Sequence, residues 1–258
     1  MEGKHNIGSA VDESFLSWCV SHGARVGPIH PTWVPLGWRG IVAKEDIPAD
    51  TCILSVPKKL LLTCESALKD EALRSAIRNS GVSISSLQLL ALHLLHEHSK
   101  GTTSFWYPYL CTLPESYTTA MCFDEVALDE LQVSSAREKV SLALYSASRQ
   151  WNECEKVLKA LKEVDCRYRT LDRWHWALST LSSRTMHLQS NSAGALMPLG
   201  DLHNYAPPPP PVTPNLFPKV CKRNADEEGN DSTGAAAITG DGHLDAASQS
   251  YKIYVRQQ

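Results

Sequence analysis

Residues 36–63, LGWRGIVAKEDIPADTCILSVPKKLLLT, decide the fold that the amino-acid sequence predicts. The Val, Ile and Cys residues of GIVA and CILSVP suit the pleated surface of a β-strand. Between these two runs, Pro48, Ala49 and Asp50 have the composition of a turn. The stretch therefore predicts a strand, a turn and a second strand, and KLLLT adds a third short apolar run.

Downstream of this β-segment, apolar residues recur at the spacing of helices that bury one face. Two helices are predicted to end near Gly81 and near Gly101, because glycine commonly follows the last helical residue. A long helical region is predicted from about Asp124 to Lys162, and another helix from Thr170 to about Leu188. The aromatic and proline-rich stretch at 104–125 is predicted to pack as an ordered, non-helical segment.

Both ends of the chain contain further elements. An N-terminal helix is predicted with Asp12 as its N-cap and Gly23 at its end. Residues 207–250 begin with consecutive prolines and continue as a polar stretch, which predicts a disordered loop because it buries too little apolar surface. The last residues, SYKIYVRQQ (250–258), alternate apolar and polar side chains and predict a half-buried strand beyond that loop.

The order of these elements is β, then a large helical block, then β, which predicts an α+β fold. Two separate sheets would each be very small, so we favour one β-domain that a helical insertion interrupts. We accordingly divide the chain into an N-terminal helix with the first β-segment at 1–63, a helical insertion at 64–190 and a C-terminal β-segment at 191–258.

The composition is that of a soluble globular protein and excludes several classes of function. With 43% hydrophobic residues and a net charge of −3, the chain lacks the basic field that steers proteins onto nucleic acid. No apolar run reaches the ~18 residues of a membrane span, and the first residues do not form a targeting segment. No nucleic-acid or membrane partner is therefore expected. The cytoplasm or the nucleus is the expected compartment, with the chloroplast less favoured.

Local motifs assign neither a metal site nor catalytic residues. His93, His96 and His98 lie on one predicted helix, and His93 and His96 have the i, i+3 spacing of a pair of metal ligands. The cluster lacks the H-E-x-x-H order and an obvious third ligand, so a helix face is favoured over a metal site. The cysteines form no C-x-x-C pair, and LGWRG (36–40) lacks the spacing of a phosphate-binding loop. The prolines at 207–211 favour a stiff surface linker. The alternative is a docking segment for a polyproline-binding partner.

Residues 36–63 resemble the opening of a SET domain, in particular that of the Rubisco large-subunit methyltransferase-like branch. Three further stretches resemble motifs of this branch. FWYPYLCTLPESYTTAMCFDE (105–125) is similar to its W-x-P-Y-x-x-x-L-P-x-x-Y segment, WALSTLSSRTM (176–186) to its arginine-containing helix end, and LMPLGDLHNYAP (196–207) to its P-x-x-D-x-x-N-H motif. These stretches follow the family order across nearly the whole chain. The resemblance implies a SET-type β-fold of short strands, interrupted by the large α-helical insertion that this branch carries.

The resemblance also implies a function, the S-adenosylmethionine-dependent methylation of protein lysines, with histidine an occasional target. The chemistry is an in-line transfer to a neutral amine, which depends on alignment and on the exclusion of water. The backbone at Gly37, Trp38, Arg39 and Gly40 is implied to wrap the cofactor, since glycines let main-chain groups approach a ligand closely.

Three more residues have implied contacts with the cofactor. Arg184 matches the arginine that faces the methionine carboxylate, a charge-assisted contact. Asn204 matches the motif asparagine, which offers both a donor and an acceptor. Tyr205 stands where the family usually has histidine. The implied partner is a protein substrate with an acceptor lysine, and no metal is required.

The predicted strand at the end of the chain also bears on function. After such a strand, members of this branch continue to a segment with the catalytic tyrosine and to a helical C-terminal domain. Because the chain ends at Gln258, we expect a C-terminally truncated form with an incomplete SET fold and no assigned catalytic residue. The alternative to an active methyltransferase is therefore a non-catalytic form that binds cofactor or protein partners without methyl transfer.

Overall fold

The computed structural model describes residues 5–34, 38–188, 191–203 and 242–255 of the chain. Within these ranges it confirms the predicted α+β class, with short strands at both ends of the chain and helices between them. The described strands are, in chain order, β1 Arg25–Val26, β2 Ile29–Val34, β3 Trp38–Ala43, β4 Cys52–Pro57, β5 Thr185–Leu188, β6 Asn191–Leu196, β7 His243–Asp245 and β8 Ser250–Tyr254.

The α-helices of the described residues lie before and between these strands. In chain order they are α1 His5–Ser21, α2 Cys64–Lys69, α3 Glu71–Ser80, α4 Ser86–Ser99, α5 Tyr107–Leu110, α6 Glu125–Asp129, α7 Ser134–Ala160 and α8 Leu171–Arg184. The structure bears out the predicted helix end at Gly81, which has a left-handed backbone with φ 66° directly after α3.

The largest sheet joins the two ends of the chain. Its strand order is β1-β4-β8-β7, and all its pairs are antiparallel. The strand that the last residues predicted is β8, in which Tyr251 pairs with Val56 and Ile253 with Leu54. These four side chains are buried. The β-segments from the two ends of the sequence therefore contribute to one sheet and one core.

Two antiparallel hairpins complete the strands, β2 with β3 and β5 with β6. The second hairpin follows α8 directly, and its close approach depends on a glycine. Gly194 has φ +72°, and a Cβ added there would lie 2.5 Å from the carbonyl oxygen of Met186. Only glycine fits this position, because any side chain would meet backbone in a conformation that L-residues rarely adopt.

Helix α4 is the centre of the helical block. A capping box begins it, in which Ser85 and Gln88 satisfy each other's backbone N–H groups. Every residue from Leu90 to Glu97 is buried, and the helix contacts α2, α7, α8 and β6. A helix that is apolar on nearly all sides is stable only when other elements surround it, and α4 meets that condition.

The predicted ends of two helices were wrong. Helix α1 begins at His5, so Asp12 lies inside it and is not its N-cap. Helix α8 ends at Arg184, and the residues predicted as its last turn form β5 instead. Pairing with β6 gives Thr185–Leu188 ladder hydrogen bonds, a tertiary gain that outweighs a weak local preference for helix.

Two helical predictions in the middle of the chain need smaller corrections. The region predicted as one long helix contains a break, since α6 ends at Asp129 and α7 starts at Ser134. The segment at 104–125, predicted as non-helical, contains the single-turn helix α5, in which Pro108 stands where a helix start tolerates proline. The rest of this segment is ordered, as predicted.

The far end of the predicted disordered loop at 207–250 is structured. Residues 242–250 contain β7, a turn and the start of β8, and Lys252 donates to Asp245 Oδ2 at 2.6 Å across the two strands. Residues 207–241, with the five prolines, lie outside the described residues. In the described part of the chain, no helix combines the length and the apolar character that crossing a bilayer requires.

Candidate active site

Three parts of the chain that are distant in sequence meet at the C-terminal end of α8. Arg184 ends this helix, Asp201 lies in a single 3-10 turn at Gly200–Leu202, and Tyr109 belongs to α5. Arg184 Nη1 lies 3.1 Å from Asp201 Oδ2, and the Tyr109 hydroxyl donates to the same oxygen at 2.9 Å. We call these residues the Arg184–Asp201–Tyr109 cluster. Convergent polar groups of this kind, set in an apolar interior, are typical of ligand sites.

The guanidinium of Arg184 is anchored but still accessible. Its side chain retains 18% of its exposure, whereas that of Asp201 retains 0%. Burial disfavours the charged form of Arg184, but Asp201 together with Tyr117 and Tyr109 outweighs this and raises the pKa of the guanidinium. Arg184 is therefore a permanent cation, and its remaining N–H groups can bind a carboxylate of a ligand.

The two carboxylate oxygens of Asp201 are in different situations. Burial raises the pKa of Asp201, and the charge of Arg184 opposes that shift. Oδ2 accepts from both Arg184 and Tyr109, whereas Oδ1 is buried without a hydrogen-bond partner in the described part of the chain. A buried acceptor without a partner costs about 1–3 kcal/mol. Oδ1 is thus a place where an N–H group of a ligand would be stabilising.

The turn that presents Asp201 has a strained backbone. Leu199, directly before the turn, has φ 69° and ψ −39°, a conformation that costs a residue with a Cβ about 1–3 kcal/mol. The side chains of Leu199, Met197 and Leu202 are all buried. Their burial compensates for the strain and holds the turn, and with it the Asp201 carboxylate, against Arg184.

Strand β3 forms a second wall of the site. Arg39 Nη1 donates to the carbonyl oxygen of Thr112 at 3.0 Å, which fastens β3 to the segment after α5. Gly40 is buried on the same strand, and β3 contacts the turn that contains Asp201. Burial raises the pKa of Asp201, and the charge of Arg39 opposes that rise only in part. The site therefore combines one buried carboxylate with the guanidinium of Arg184 paired to it.

Of the residues that the resemblance implies, Arg184 lies directly against Asp201, and Arg39 and Gly40 lie on β3, the strand that contacts the turn with Asp201. Of Trp38 the structure describes only the backbone, as the first residue of β3. The other three lie outside the described residues, and their contacts stay predictions: Gly37, Asn204 and Tyr205.

Three residues of the site were not predicted from the sequence, namely Asp201, Tyr109 and Tyr117. The first two are the aspartate of the P-x-x-D motif and the tyrosine of the W-x-P-Y motif, so both motifs contained the signal. Tyr117 lies beside Arg184, and burial raises the pKa of its hydroxyl. Asp201 pairs with Arg184, Tyr109 donates to Asp201, and Tyr117 lies beside Arg184. These contacts join separate segments of the chain, so no single motif contains them.

No group of three His, Cys, Asp or Glu side chains is arranged for a metal ion within the described ranges. Two of the α4 histidines, His93 and His96, are buried, and His98 is partly buried. Each has a polar neighbour, namely Ser66 Oγ at 3.0 Å from His93 Nε2, Asp70 Oδ2 at 3.2 Å from His96 Nε2, and Tyr168 Oη at 3.0 Å from His98 Nδ1.

Comparison with known proteins gives relatives but no matching family model. The chain is 37% identical over 204 residues to Protein SET DOMAIN GROUP 40 of Arabidopsis thaliana, covering 78% of this chain and 40% of that protein. It is 30% identical over 203 residues to the actin-histidine N-methyltransferase of Xenopus tropicalis, covering 74% of this chain and 34% of that enzyme. The chain thus spans less than half the length of these curated relatives.

Solved structures with a similar fold include SET domains with ligands. A crystal structure of the SET domain of LSMT bound to lysine and AdoHcy has a TM-score of 0.68 and 21% identity, covering 96% of this chain and 52% of that one. A structure of Rubisco LSMT bound to sinefungin and monomethyllysine has a TM-score of 0.62 and 25% identity, covering 76% of this chain and 45% of that one. The expected SET-type arrangement of strands and helices is therefore confirmed.

Proposed function

Because the chain belongs to the SET-domain proteins related to the Rubisco large-subunit methyltransferases, we propose that it is an S-adenosylmethionine-dependent protein methyltransferase domain. The observation that carries this proposal is the Arg184–Asp201–Tyr109 cluster, which combines an accessible guanidinium with a buried carboxylate oxygen that lacks a partner. Relatives with a SET domain include enzymes named for methyl transfer to protein, and similar solved structures are named with AdoHcy or sinefungin.

The residues of the cluster fit the amino-acid part of such a cofactor. Its carboxylate would pair with Arg184, the anchored and partly exposed guanidinium. Its ammonium group would donate to Asp201 Oδ1, the buried acceptor without a partner in the described residues. The backbone of β3 at Gly40, together with Gly37, Asn204 and Tyr205, would complete the contacts that the resemblance implies.

The chain's own residues prepare the acceptor as well as the cofactor. S-adenosylmethionine supplies the methyl group, which forms a bond to the acceptor nitrogen as its bond to the sulfonium sulfur breaks. The acceptor must be neutral to attack, so an amine has to lose its proton to water first. Burial beside the positive sulfonium of the bound cofactor would lower the pKa of an amine that enters the site.

A lysine side chain is the acceptor we propose first. The similar solved structures are named with lysine, methyllysine or monomethyllysine. Histidine is the second candidate, because the 30% identical relatives are named as actin-histidine N-methyltransferases. The two acceptors differ in a simple readout, since tandem mass spectrometry of the labelled product assigns the added methyl group to one residue type.

The alternative to an enzyme is a form that binds cofactor without methyl transfer. The chain spans about 40% of its Arabidopsis relative, and no catalytic tyrosine is assigned within it. Two measurements separate the alternatives, namely calorimetric binding of S-adenosylhomocysteine and transfer of radiolabel from S-adenosylmethionine to protein. Binding with transfer supports the enzyme, and binding without transfer supports the non-catalytic form.

The test of the cluster is Arg184→Ala in both measurements. Removing the guanidinium takes away the charged partner of the ligand carboxylate, so S-adenosylhomocysteine should bind at least about tenfold more weakly. Arg167→Ala is the matched control, because this arginine is 79% exposed and pairs with Asp165, two positions earlier in the chain. Equal binding by Arg184→Ala and the wild type, with both folded by circular dichroism, would contradict the proposed site.

A further inference from the structure

A groove of about 580 Å³ lies beside the candidate active site and shares a wall with it. The shared wall is the segment at 107–115. Tyr109 and Thr112 of this segment contact Asp201 and Arg39 of the site, whereas their neighbours Tyr107, Leu110, Cys111 and Leu113 line the groove. One segment of the chain therefore borders both the groove and the candidate active site.

The opposite side of the groove presents Arg173 over two aromatic rings. Its guanidinium carbon lies 5.6 Å from the centroid of the Tyr168 ring and 5.9 Å from that of Trp176. Among the described carboxylates, none forms an ion pair with Arg173. Stacking of this kind fixes the plane of a guanidinium while its N–H edge stays available for a carboxylate. We call the cavity the Arg173 groove.

The aromatic rings of the Arg173 groove are themselves held in position. Trp176 Nε1 donates to the carbonyl oxygen of Pro114 at 2.9 Å, and the Tyr168 hydroxyl lies 3.0 Å from His98 Nδ1. Burial lowers the pKa of His98, and the positive charge of Arg173 lowers it further. This histidine therefore does not add a second positive charge to the groove. A groove with fixed walls loses little conformational freedom when it binds a ligand.

We propose that the Arg173 groove binds an extended segment of the protein substrate through an isolated acidic side chain. This inference rests on the proposed function, because it assumes a protein substrate at the adjoining site. Arg173 supplies the charge that an Asp or Glu carboxylate complements. Glu115, exposed and also lining the groove, repels a second carboxylate. The occupant is therefore a single acidic residue among neutral ones, not an acidic run.

The test is an NMR titration of the whole 258-residue chain with synthetic peptides. The probe is an acetylated nonapeptide of Gly, Ser and Tyr with one central Asp, and its counterpart has Asn at that position. We expect the Asp peptide to shift the indole N–H signal of Trp176 and the Nε–H signal of Arg173. The indole of Trp18, which lies on α1 outside the groove lining, is the internal reference and should not move.

Charge-altering variants make the result specific to Arg173. Arg173→Gln should weaken binding of the Asp peptide at least fivefold. Arg167→Gln changes an exposed arginine outside the groove and should leave binding of the Asp peptide unchanged. Equal shifts from the Asp and Asn peptides, no shift from the Asp peptide at millimolar concentration, or preferential binding of a Lys peptide would each overturn the proposal.

The two measurements distinguish an error in the proposed function from an error in the groove proposal. If the wild type does not bind S-adenosylhomocysteine, the methyltransferase proposal is wrong, whatever the peptides do. If S-adenosylhomocysteine binds equally well to the wild type and to Arg173→Gln while the Asp peptide fails to bind the wild type, only the groove proposal is wrong.

Discussion

At the scale of single residues, Asp201 depends on partners that its own motif does not contain. A buried carboxylate is stable only when neighbouring charges and hydrogen bonds replace the water that it has lost. Arg184 supplies the charge and Tyr109 supplies a hydrogen bond. Tyr109 comes from 92 positions earlier in the chain, so the aspartate is held by the fold and not by its local sequence.

The change Tyr109→Phe tests how much this hydrogen bond contributes. It keeps the buried ring but removes the donor to Asp201 Oδ2, so the free energy of unfolding should fall by about 1–2 kcal/mol. Urea denaturation measures the loss. Tyr145→Phe is the control, since Tyr145 is 65% exposed. The free energy of unfolding of this variant should match that of the wild type. If Tyr109→Phe has the same free energy of unfolding as the wild type, the hydroxyl does not stabilise Asp201.

A second residue-scale prediction concerns the hairpin that follows Arg184. Gly194→Ala places a Cβ against the carbonyl oxygen of Met186 in a left-handed backbone conformation, so we expect a stability loss of more than about 2 kcal/mol. Gly81→Ala is the matched control, because Gly81 has a similar φ of +66° but no atom within 4 Å of the added Cβ. It should cost only about 1 kcal/mol. Equal thermal stability of the two variants would exclude a steric contribution at Gly194.

At the scale of elements, α4 has a polar end inside an otherwise apolar helix. Glu97 is only 3% exposed and accepts from both Lys100 and Ser104. Lys100 also donates to Asp70 at 2.7 Å, which joins α4 to the start of α3. These contacts compensate for burying charge. His93 lies one turn before Glu97, and its ring hydrogen-bonds with the neutral hydroxyl of Ser66.

His93 should make the protein less stable in mild acid. Burial lowers the pKa of His93 from 6.5 to about 4, so between these values the unfolded chain binds a proton that the folded chain does not. Stability from this group is therefore complete above pH 6.5 and is lost as the pH falls. Between pH 7 and pH 5 the loss should be roughly 1–2 kcal/mol.

The measurement is urea denaturation at both pH values with a pair of variants. Gln at position 93 cannot be protonated, so His93→Gln should reduce the difference in unfolding free energy between pH 7 and pH 5. His187→Gln changes an exposed histidine of β5 and should leave that difference as in the wild type. A pH dependence that persists in full in His93→Gln would assign it to other groups.

At the scale of the whole molecule, β8 connects the last described residues to the first β-segment. Ile253 is 1% exposed and Leu54 opposite it is 0% exposed. Both belong to the same cluster of buried residues as Leu90 and Leu94 of α4. Because one continuous core joins the sheet to the helices, we expect the sheet and the helical block to unfold together.

Ile253→Ala tests that expectation. Removing buried methylene groups should cost about 2–5 kcal/mol, a large part of a typical stability. The urea midpoints measured by far-UV circular dichroism and by tryptophan fluorescence should fall together. Lys252→Ala is the control on the same strand, since it breaks a partly exposed pair with Asp245, and ion pairs in contact with water contribute little to stability. A fluorescence midpoint that stays in place while the dichroism shifts would indicate two independent units.

The sequence by itself determined the α+β order of the elements and the terminal strand β8, and it predicted Arg184 as a cofactor contact. Periodicity predicts such features because it reflects which side of an element is buried, and the SET motifs identified the arginine. Only the tertiary structure decided that α8 ends at Arg184, since pairing of β5 with β6 makes extended backbone more favourable there. It also decided the partners of Asp201 and the stacking of Arg173. These depend on contacts between distant segments, which form only when the core packs.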